Sequence, residues 1–320
     1  MTIFRFGYVA MSMQVKNSSP SQTVTFKTFN KYSDREAAIR KLERIAQSNI
    51  RNCLRLLKHN KAFDISFFRL SSKLVPLATH EELADWDYLE AIDEDLGELG
   101  RFAKGNQMRL DFHPDHFVVI NSPKEEILSS SVKTLRYHHR LLSAMGLSAV
   151  HRCVLHTGGL YGNKEKALEQ FIDNWSRIST QLQKMILLEN DDKSFHIEDV
   201  LYLCEKLEMP AVFDLHHHQA NHHLPEWMDY WERIVGTWHH SQLPVKVHFS
   251  SPKNQQQFRH HADYVDANMV MEFAKKVSGS VTQVDCMLEA KQKDLALLKL
   301  VNDLKKYKEL EWINQSTFSL

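Results

Sequence analysis

Cysteine is scarce and widely spaced. Cys53, Cys153, Cys204 and Cys286 are the four in 320 residues, and no two form a C-x-x-C pair. That excludes a disulfide framework and a thiolate zinc site, and it suits a reducing compartment. Ten Gly and eight Pro are few for this length, which excludes collagen-like, linker-rich and low-complexity chains. No apolar run approaches the ~18 residues of a membrane span. The opening MTIFRFGYVAMSM has Arg5 inside its apolar stretch and no A-x-A-like cleavage site, which argues against a signal peptide. A cytoplasmic protein without membrane association is expected. Excess charge of either sign is missing too: forty Lys+Arg balance forty Asp+Glu. Bulk charge therefore names no partner, although a local patch can still bind nucleic acid. Walker A, G-x-G-x-x-G, G-x-S-x-G and H-E-x-x-H motifs are all absent, so nucleotide cofactors and a serine nucleophile have no support.

Histidine, by contrast, is abundant. There are nineteen, ten of them between His216 and His261, and histidine is the commonest metal ligand and a frequent acid or base. Apolar residues at 43% and charged residues at 25% are an ordinary globular composition. Without linkers or composition shifts, residues 1–320 read as one domain.

Short apolar runs alternate with longer amphipathic ones. Phe4–Val9, Ile65–Leu70, Met108–Phe112, Cys153–Leu155, Met185–Leu188, Ala211–Leu215, Val245–Phe249 and Val284–Leu288 resemble parallel strands covered on both faces. Asp34–Leu57, Pro123–Met145, Lys164–Gln183, Ile197–Leu207, Leu224–Thr237 and Asp294–Tyr307 have helical spacing. Eight alternations at about 40 residues each predict an α/β fold, a single (β/α)8 TIM barrel; an open doubly wound sheet is the other arrangement with this pattern.

In such a barrel the active face lies where strands end. Here six successive runs end in ligand-type side chains: Asp111 and His113, His156, Glu189, Asp214 with His216–His218, His248 with Lys246 before it, and Glu289. His261 follows the seventh run and His80 the second. One His at a strand end is more often a hydrogen-bonded core residue than a ligand. Asp214 or Glu289 taken singly could equally cap a helix. Six coincidences by chance have odds under roughly one in ten. Charges converging on one mouth need pairing or cations, and mixed imidazole and carboxylate donors suit Zn, Mn or Fe. Eight or nine candidates exceed what one ion needs, so two or three ions are expected. Strand alternation would let at most two of His216, His217 and His218 point one way. His138, His139, His222, His223, His239, His240 and His260 read as surface residues, and Asp191-Asp192-Lys193 as a solvated turn. Gly158-Gly159 with Gly162 reads as a loop that could admit a phosphate at the next helix, although such a pattern by itself is more often just a turn.

Taken in order, GYV, FRLSSKLVPLATH, DFHPDHF, HTGGLYGNKE, LLENDDK, FDLHHH, KVHFSSPK, HADYVDAN and LEAKQKD resemble the UV damage endonuclease family of DNA repair enzymes, from about residue 3 to residue 300. The resemblance implies a xylose-isomerase- and endonuclease IV-like barrel. It implies incision of damaged double-stranded DNA immediately 5′ to cyclobutane pyrimidine dimers, 6-4 photoproducts and abasic sites. It also implies a cluster of divalent metals, often manganese, with Zn2+, Co2+ or Mg2+ as other candidates. By motif position, His113, His156 and Glu189, with His80, would hold one ion. Glu189, Asp214, His248 and Glu289 would hold a second, and His217 and His261 a third. The family's Gln and aromatic pair in the third motif corresponds to His116 and Phe117, and Tyr8 matches an aromatic at the end of the first strand; all three would face the lesion.

Lys246 shares a strand face with His248. As an ammonium it cannot bind a metal, so a lowered pKa or carboxylation would suit it; pairing with Asp214 or Glu289 is the plain alternative. Lys73, Lys253, Lys291 and Lys293 are candidates for the DNA backbone. The implied chemistry is metal-assisted phosphodiester hydrolysis by a monomer, with Glu189 as the bridge between ions and, with Lys246, catalytic. A sugar isomerase or epimerase on a similar barrel, and a DNA-damage binder without catalysis, are the competing readings.

Overall fold

The computed structural model describes residues 1–320. Eight parallel strands alternate with helices: β1 (Ile3–Val9), β2 (Phe67–Arg69), β3 (Arg109–Asp111), β4 (Cys153–His156), β5 (Ile186–Glu189), β6 (Ala211–Asp214), β7 (Val245–Phe249) and β8 (Gln283–Leu288). They pair in the order β3-β2-β1-β8-β7-β6-β5-β4, and the Phe112–Cys153 bridge joins the two ends into a nearly closed barrel. The predicted (β/α)8 architecture is therefore the observed one. No helix is long and apolar enough to cross a membrane.

Local chemistry sets the helix starts. Asp34 accepts from the N–H groups of Glu36 and Ala37 ahead of helix Arg35–Ala62, and Asn163 accepts from Lys166 ahead of helix Lys164–Trp175. The expected Lys164–Gln183 helix is broken after Trp175 and resumes at Thr180–Gln183. Two further helices, Tyr88–Gly105 and Ala267–Val277, fill the β2–β3 and β7–β8 connections, which the sequence pattern left unassigned.

A second addition is the hairpin of β9 (Glu311–Asn314) and β10 (Thr317–Ser319). Strand β2 reaches only Gly7–Val9 of β1, and β10 pairs antiparallel with the uncovered Ile3–Arg5 half. An exposed strand edge is thereby covered. Phe318 stacks on Phe4 at 5.1 Å between ring centroids, so the edge is also packed.

Alternation divides each strand between the helical layer and the barrel interior. Phe4, Phe6 and Tyr8 face the helices, whereas Arg5, Gly7 and Val9 face inward. The interior is ionic at its lower end. Asp285 accepts from Arg5 (2.8 and 2.6 Å) and from Arg109 (2.9 Å), and Asp111 from Arg109 (3.0 Å) and Lys246 (3.2 Å). Arg152 lies 3.6 Å from Asp111. Above this layer Val9, Phe67 and Met287 form a small apolar plug.

Candidate metal centre

Glu189 ends β5 with no exposed surface, and the upper mouth of the barrel is built around it. Its Oε2 is 3.0 Å from His113 Nε2 and 3.5 Å from His156 Nε2; its Oε1 is 2.8 Å from His248 Nδ1 and 3.4 Å from His217 Nδ1. Three sets of donor atoms, each set within 4.8 Å, share this carboxylate: His113–His156–Glu189, Glu189–Asp214–His217 and Glu189–His248–Glu289. Seven predicted ligands thus converge from β3 through β8.

The other candidates are distributed differently. His261 stands at the margin, its Nδ1 3.8 Å from Glu289. His80 does not join a donor set: it caps the short helical turn Glu81–Leu83, and its ring stacks on Phe26 at 3.8 Å. Lys246 sits one strand position-pair below His248, fully buried, and pairs with Asp111 rather than with Asp214 or Glu289. Tyr8 is not at the mouth, because its strand position faces the helices; its hydroxyl donates to Asn60 at 2.6 Å and its ring meets Phe68 edge-on. His116 and Phe117 lie on the exposed β3 connection, with Phe117 64% exposed. Lys73, Lys253 and Lys291 are exposed and Lys293 is half-buried.

Three smaller expectations also change. His216–His218 belong to helix Leu215–Ala220, not to an extended strand, so strand alternation does not govern them. Asp214 caps that helix through Oδ1, which accepts from His217 N–H at 2.7 Å, and this turn swings His217 into the mouth. His138 is buried, its Nδ1–H donating to Thr134 O at 2.9 Å and its ring against Phe112. Asp191 is also buried; its carboxylate accepts from the N–H groups of Lys193, Ser194 and Phe195 and so shapes the loop after β5.

Arg69, at the end of β2, escaped the sequence reading. Its Nη1 donates to Glu289 Oε1. The strand-end rule would have found it had cations been sought along with His, Asp and Glu.

The electrostatics are those of a centre short of positive charge. Burial opposes ionisation of Glu189, but His248, His113 and His156 outweigh it and hold the carboxyl well below the usual range. Burial is likewise outweighed at Glu289, by Arg69 and His248. Burial pulls His217 down, yet Asp214, Glu189 and Glu289 together raise it to about 9. Asp214 is pushed up by burial and by the two neighbouring glutamates. Protons on imidazoles therefore carry part of the countercharge.

Divalent cations fit this donor set. His113 Nδ1 lies 3.1 Å from the Pro114 carbonyl, which only accepts, so Nδ1 carries the proton. Nε2 of a neutral His113 then turns a lone pair toward Glu189 Oε2, a contact that calls for a cation between them. His217 Nδ1–H likewise donates to a carbonyl, Asn190 O at 2.9 Å, as metal-bound histidines commonly do. Asp214 Oδ2 is buried without any hydrogen-bond partner. All donors are nitrogen or oxygen, a set open to Zn, Mn, Fe or Mg.

The architecture is thus a (β/α)8 barrel with a buried imidazole–carboxylate centre at its C-terminal mouth. A family model described as UV-endonuclease UvdE matches residues 4–319. The chain belongs to that family. It is 52% identical over 313 residues to a UV DNA damage endonuclease of Halalkalibacterium halodurans, covering 98% of this chain and 97% of that relative. A UV DNA damage endonuclease of Bacillus thuringiensis subsp. konkukian is 38% identical over 318 residues, covering 98% and 99%. Among solved structures, SacUVDE superposes with a TM-score of 0.84 at 29% identity, covering 95% of this chain and 98% of that one. Endonuclease IV from Thermus thermophilus shares the fold alone, at TM-score 0.57 and 13% identity over 95% of this chain and 100% of that one.

Proposed function

We propose that this protein is a metal-dependent DNA repair endonuclease that hydrolyses the phosphodiester bond 5′ to cyclobutane dimers, 6-4 photoproducts and abasic sites. The observation that carries this reading is the buried carboxylate of Glu189, common to three donor sets, in a chain of the UvdE family. His113, His156 and Glu189 would hold one ion, Glu189, His248 and Glu289 a second, and Asp214 and His217, with His261, a third; manganese is the expected metal. The ions would supply a water acidic enough to attack phosphorus near neutral pH and charge to neutralise the leaving oxygen. Glu189 fixes the spacing of the centre. Pro114 and Asn190 carbonyls hold His113 and His217 in the tautomer that leaves Nε2 free. Phe117 and His116, exposed on the connection after β3, would meet the lesion, where weakened stacking lets nucleotides leave the helix.

Lys246 is proposed to be carboxylated. Burial, with Arg109 and Arg69, brings its amine down to about 8 against the pull of Asp111. The lower interior holds Arg5, Arg109, Arg152 and Lys246 against only Asp111 and Asp285. Addition of CO2 to the neutral amine, with loss of one proton, turns Lys246 from cation to anion and removes that surplus. Intact-mass and peptide mass spectra should show about 44 Da extra on Lys246; an unmodified peptide from protein kept above pH 8 would refute the modification.

The reading as a whole is tested by nicking of UV-irradiated and untreated plasmid with Mn2+ and with EDTA. Irradiation-dependent, EDTA-sensitive nicking is expected. Binding to damaged DNA without nicking, or no response to irradiation, would overturn it.

A further inference from the structure

Phe117 and Tyr161 are the two most exposed aromatic side chains in the protein, at 64% and 49%. They leave from neighbouring connections, after β3 and after β4. Those strands lead into His113 and His156, whose rings are 5.2 Å apart at the mouth. Phe117 is already part of the reading above; Tyr161 is not.

Tyr161 is also strained. Its φ is +47°, the left-handed region that favours glycine or asparagine. Among the nine non-glycine residues with positive φ, it alone carries an exposed large apolar side chain. Glycine or asparagine would satisfy this turn with less strain.

The turn beneath it is fixed. Buried Asn121 donates to Gly159 O at 2.8 Å and accepts from Gly159 N–H at 3.2 Å. Gly158 has φ +123°, and a Cβ there would lie 2.1 Å from Asn121 Oδ1. The Tyr161 ring lies over Gly159, where a Cβ would come within 3.0 Å of Cζ. An aromatic face is therefore held in place at the rim, at a backbone cost that a surface turn does not need. Strain retained beside a candidate active site points to a binding role.

We propose that Tyr161 is a stacking residue for damaged DNA: its ring, on the connection after β4, seats a nucleobase unpaired at the lesion, beside the connection after β3 that carries Phe117. This rests on the endonuclease reading. Stacking on an aromatic face accepts any base, as suits an enzyme that must find lesions in every sequence context.

The test compares wild type, Tyr161→Phe and Tyr161→Asn. Affinity is measured by fluorescence anisotropy in EDTA on a duplex with one cyclobutane dimer and on its undamaged twin; nicking kinetics follow with Mn2+. Tyr161→Asn should weaken binding of the dimer duplex about tenfold, the usual effect of losing one base–aromatic stack. KM should rise in parallel with kcat little changed, and undamaged duplex should bind as before. Because asparagine tolerates positive φ, the melting temperature should not fall. Tyr161→Phe should behave as wild type. Unchanged affinity in Tyr161→Asn, equal weakening on both duplexes, or a Phe variant as weak as Asn would overturn the proposal. A wild-type protein that neither prefers the dimer duplex nor nicks it would instead refute the endonuclease reading.

Discussion

A carboxylate with no exposed surface keeps its charge only where neighbours supply the opposite sign. Four imidazoles stand around Glu189, two to each oxygen, and His156 and His217 are the two whose pKa is raised. Glu189→Gln keeps the shape but replaces one acceptor with an NH2 donor that opposes both protonated imidazoles and cations. The expected outcome is loss of nicking by at least about a thousandfold, on the scale of removing a central catalytic group. Elemental analysis should show fewer bound ions at unchanged circular dichroism. Activity or metal content near wild type would remove Glu189 from the bridge. His138, which belongs to none of the donor sets, illustrates a different residue-scale effect. Burial lowers it to about 4, against roughly 6.5 in the unfolded chain. A base depressed in the folded state is neutral there; its contribution is complete above about 6.5 and is lost as pH falls toward 4. His138→Phe should therefore flatten the acid limb by roughly 2–3 kcal/mol, read from urea midpoints at pH 7 and pH 4.5. An equal loss in both proteins would show that His138 does not titrate in unfolding. The two residues also differ in legibility. Glu189 stood out because an acid terminates an apolar run, whereas His138 looked like a surface residue on a helix, since one ring against Phe112 leaves no periodic trace.

At the scale of elements, the strands were legible because each is a short apolar run, and their ends named the seven donors that converge at the mouth. What stayed hidden was helix Tyr88–Gly105, whose pattern is diluted by acids and by Gly97 and Gly100. Packing explains one of those glycines. A Cβ on Gly100 would lie 1.8 Å from the Met145 carbonyl oxygen, so the helix passes against the end of helix Glu125–Ala144 at a distance only glycine permits. At Gly97 a Cβ would meet only the flexible tip of Arg101, at 3.2 Å. The two alanine variants should diverge. Gly100→Ala should lose about 3 kcal/mol through overpacking against backbone, and Gly97→Ala should gain up to about 1 kcal/mol from helix propensity. Denaturant unfolding of both decides it, and two shifts of the same sign would contradict the packing geometry. Tyr8 carries the related lesson for strands. Its place at the end of β1 suggested the mouth, but alternation, countable from inward Arg5, sends it to the helical layer. The inward ionic layer itself was missed because Arg109 and Asp285 interrupt runs that were read as apolar, and because Asp111, read as a strand-end ligand, pairs instead with Arg109 and Lys246.

For the whole molecule, zero net charge conceals a vertical separation. Cations outnumber anions in the lower interior, while Glu189, Asp214 and Glu289 gather above them beside Arg69 and histidines. Without metal, the countercharge includes protons: His217 is raised to about 9 by its carboxylates, against burial, and His156 is raised by Glu189. A base raised in the folded state stabilises fully below its unfolded value near 6.5, and that contribution disappears as pH climbs through about 9. EDTA-treated protein should accordingly melt at lower temperature as pH rises from 7 to 9.5. Divalent ions must displace the same protons, so Mn2+ should raise the melting temperature more at pH 8.5 than at pH 6. At a hundredfold excess over Kd the stabilisation is about 2.7 kcal/mol, a shift of a few degrees in a protein of this size. Calorimetric titrations in buffers of different ionisation enthalpy should register proton release on Mn2+ binding. Equal melting shifts at both pH values, with no protons released, would mean that the ions bind elsewhere than among these histidines and carboxylates.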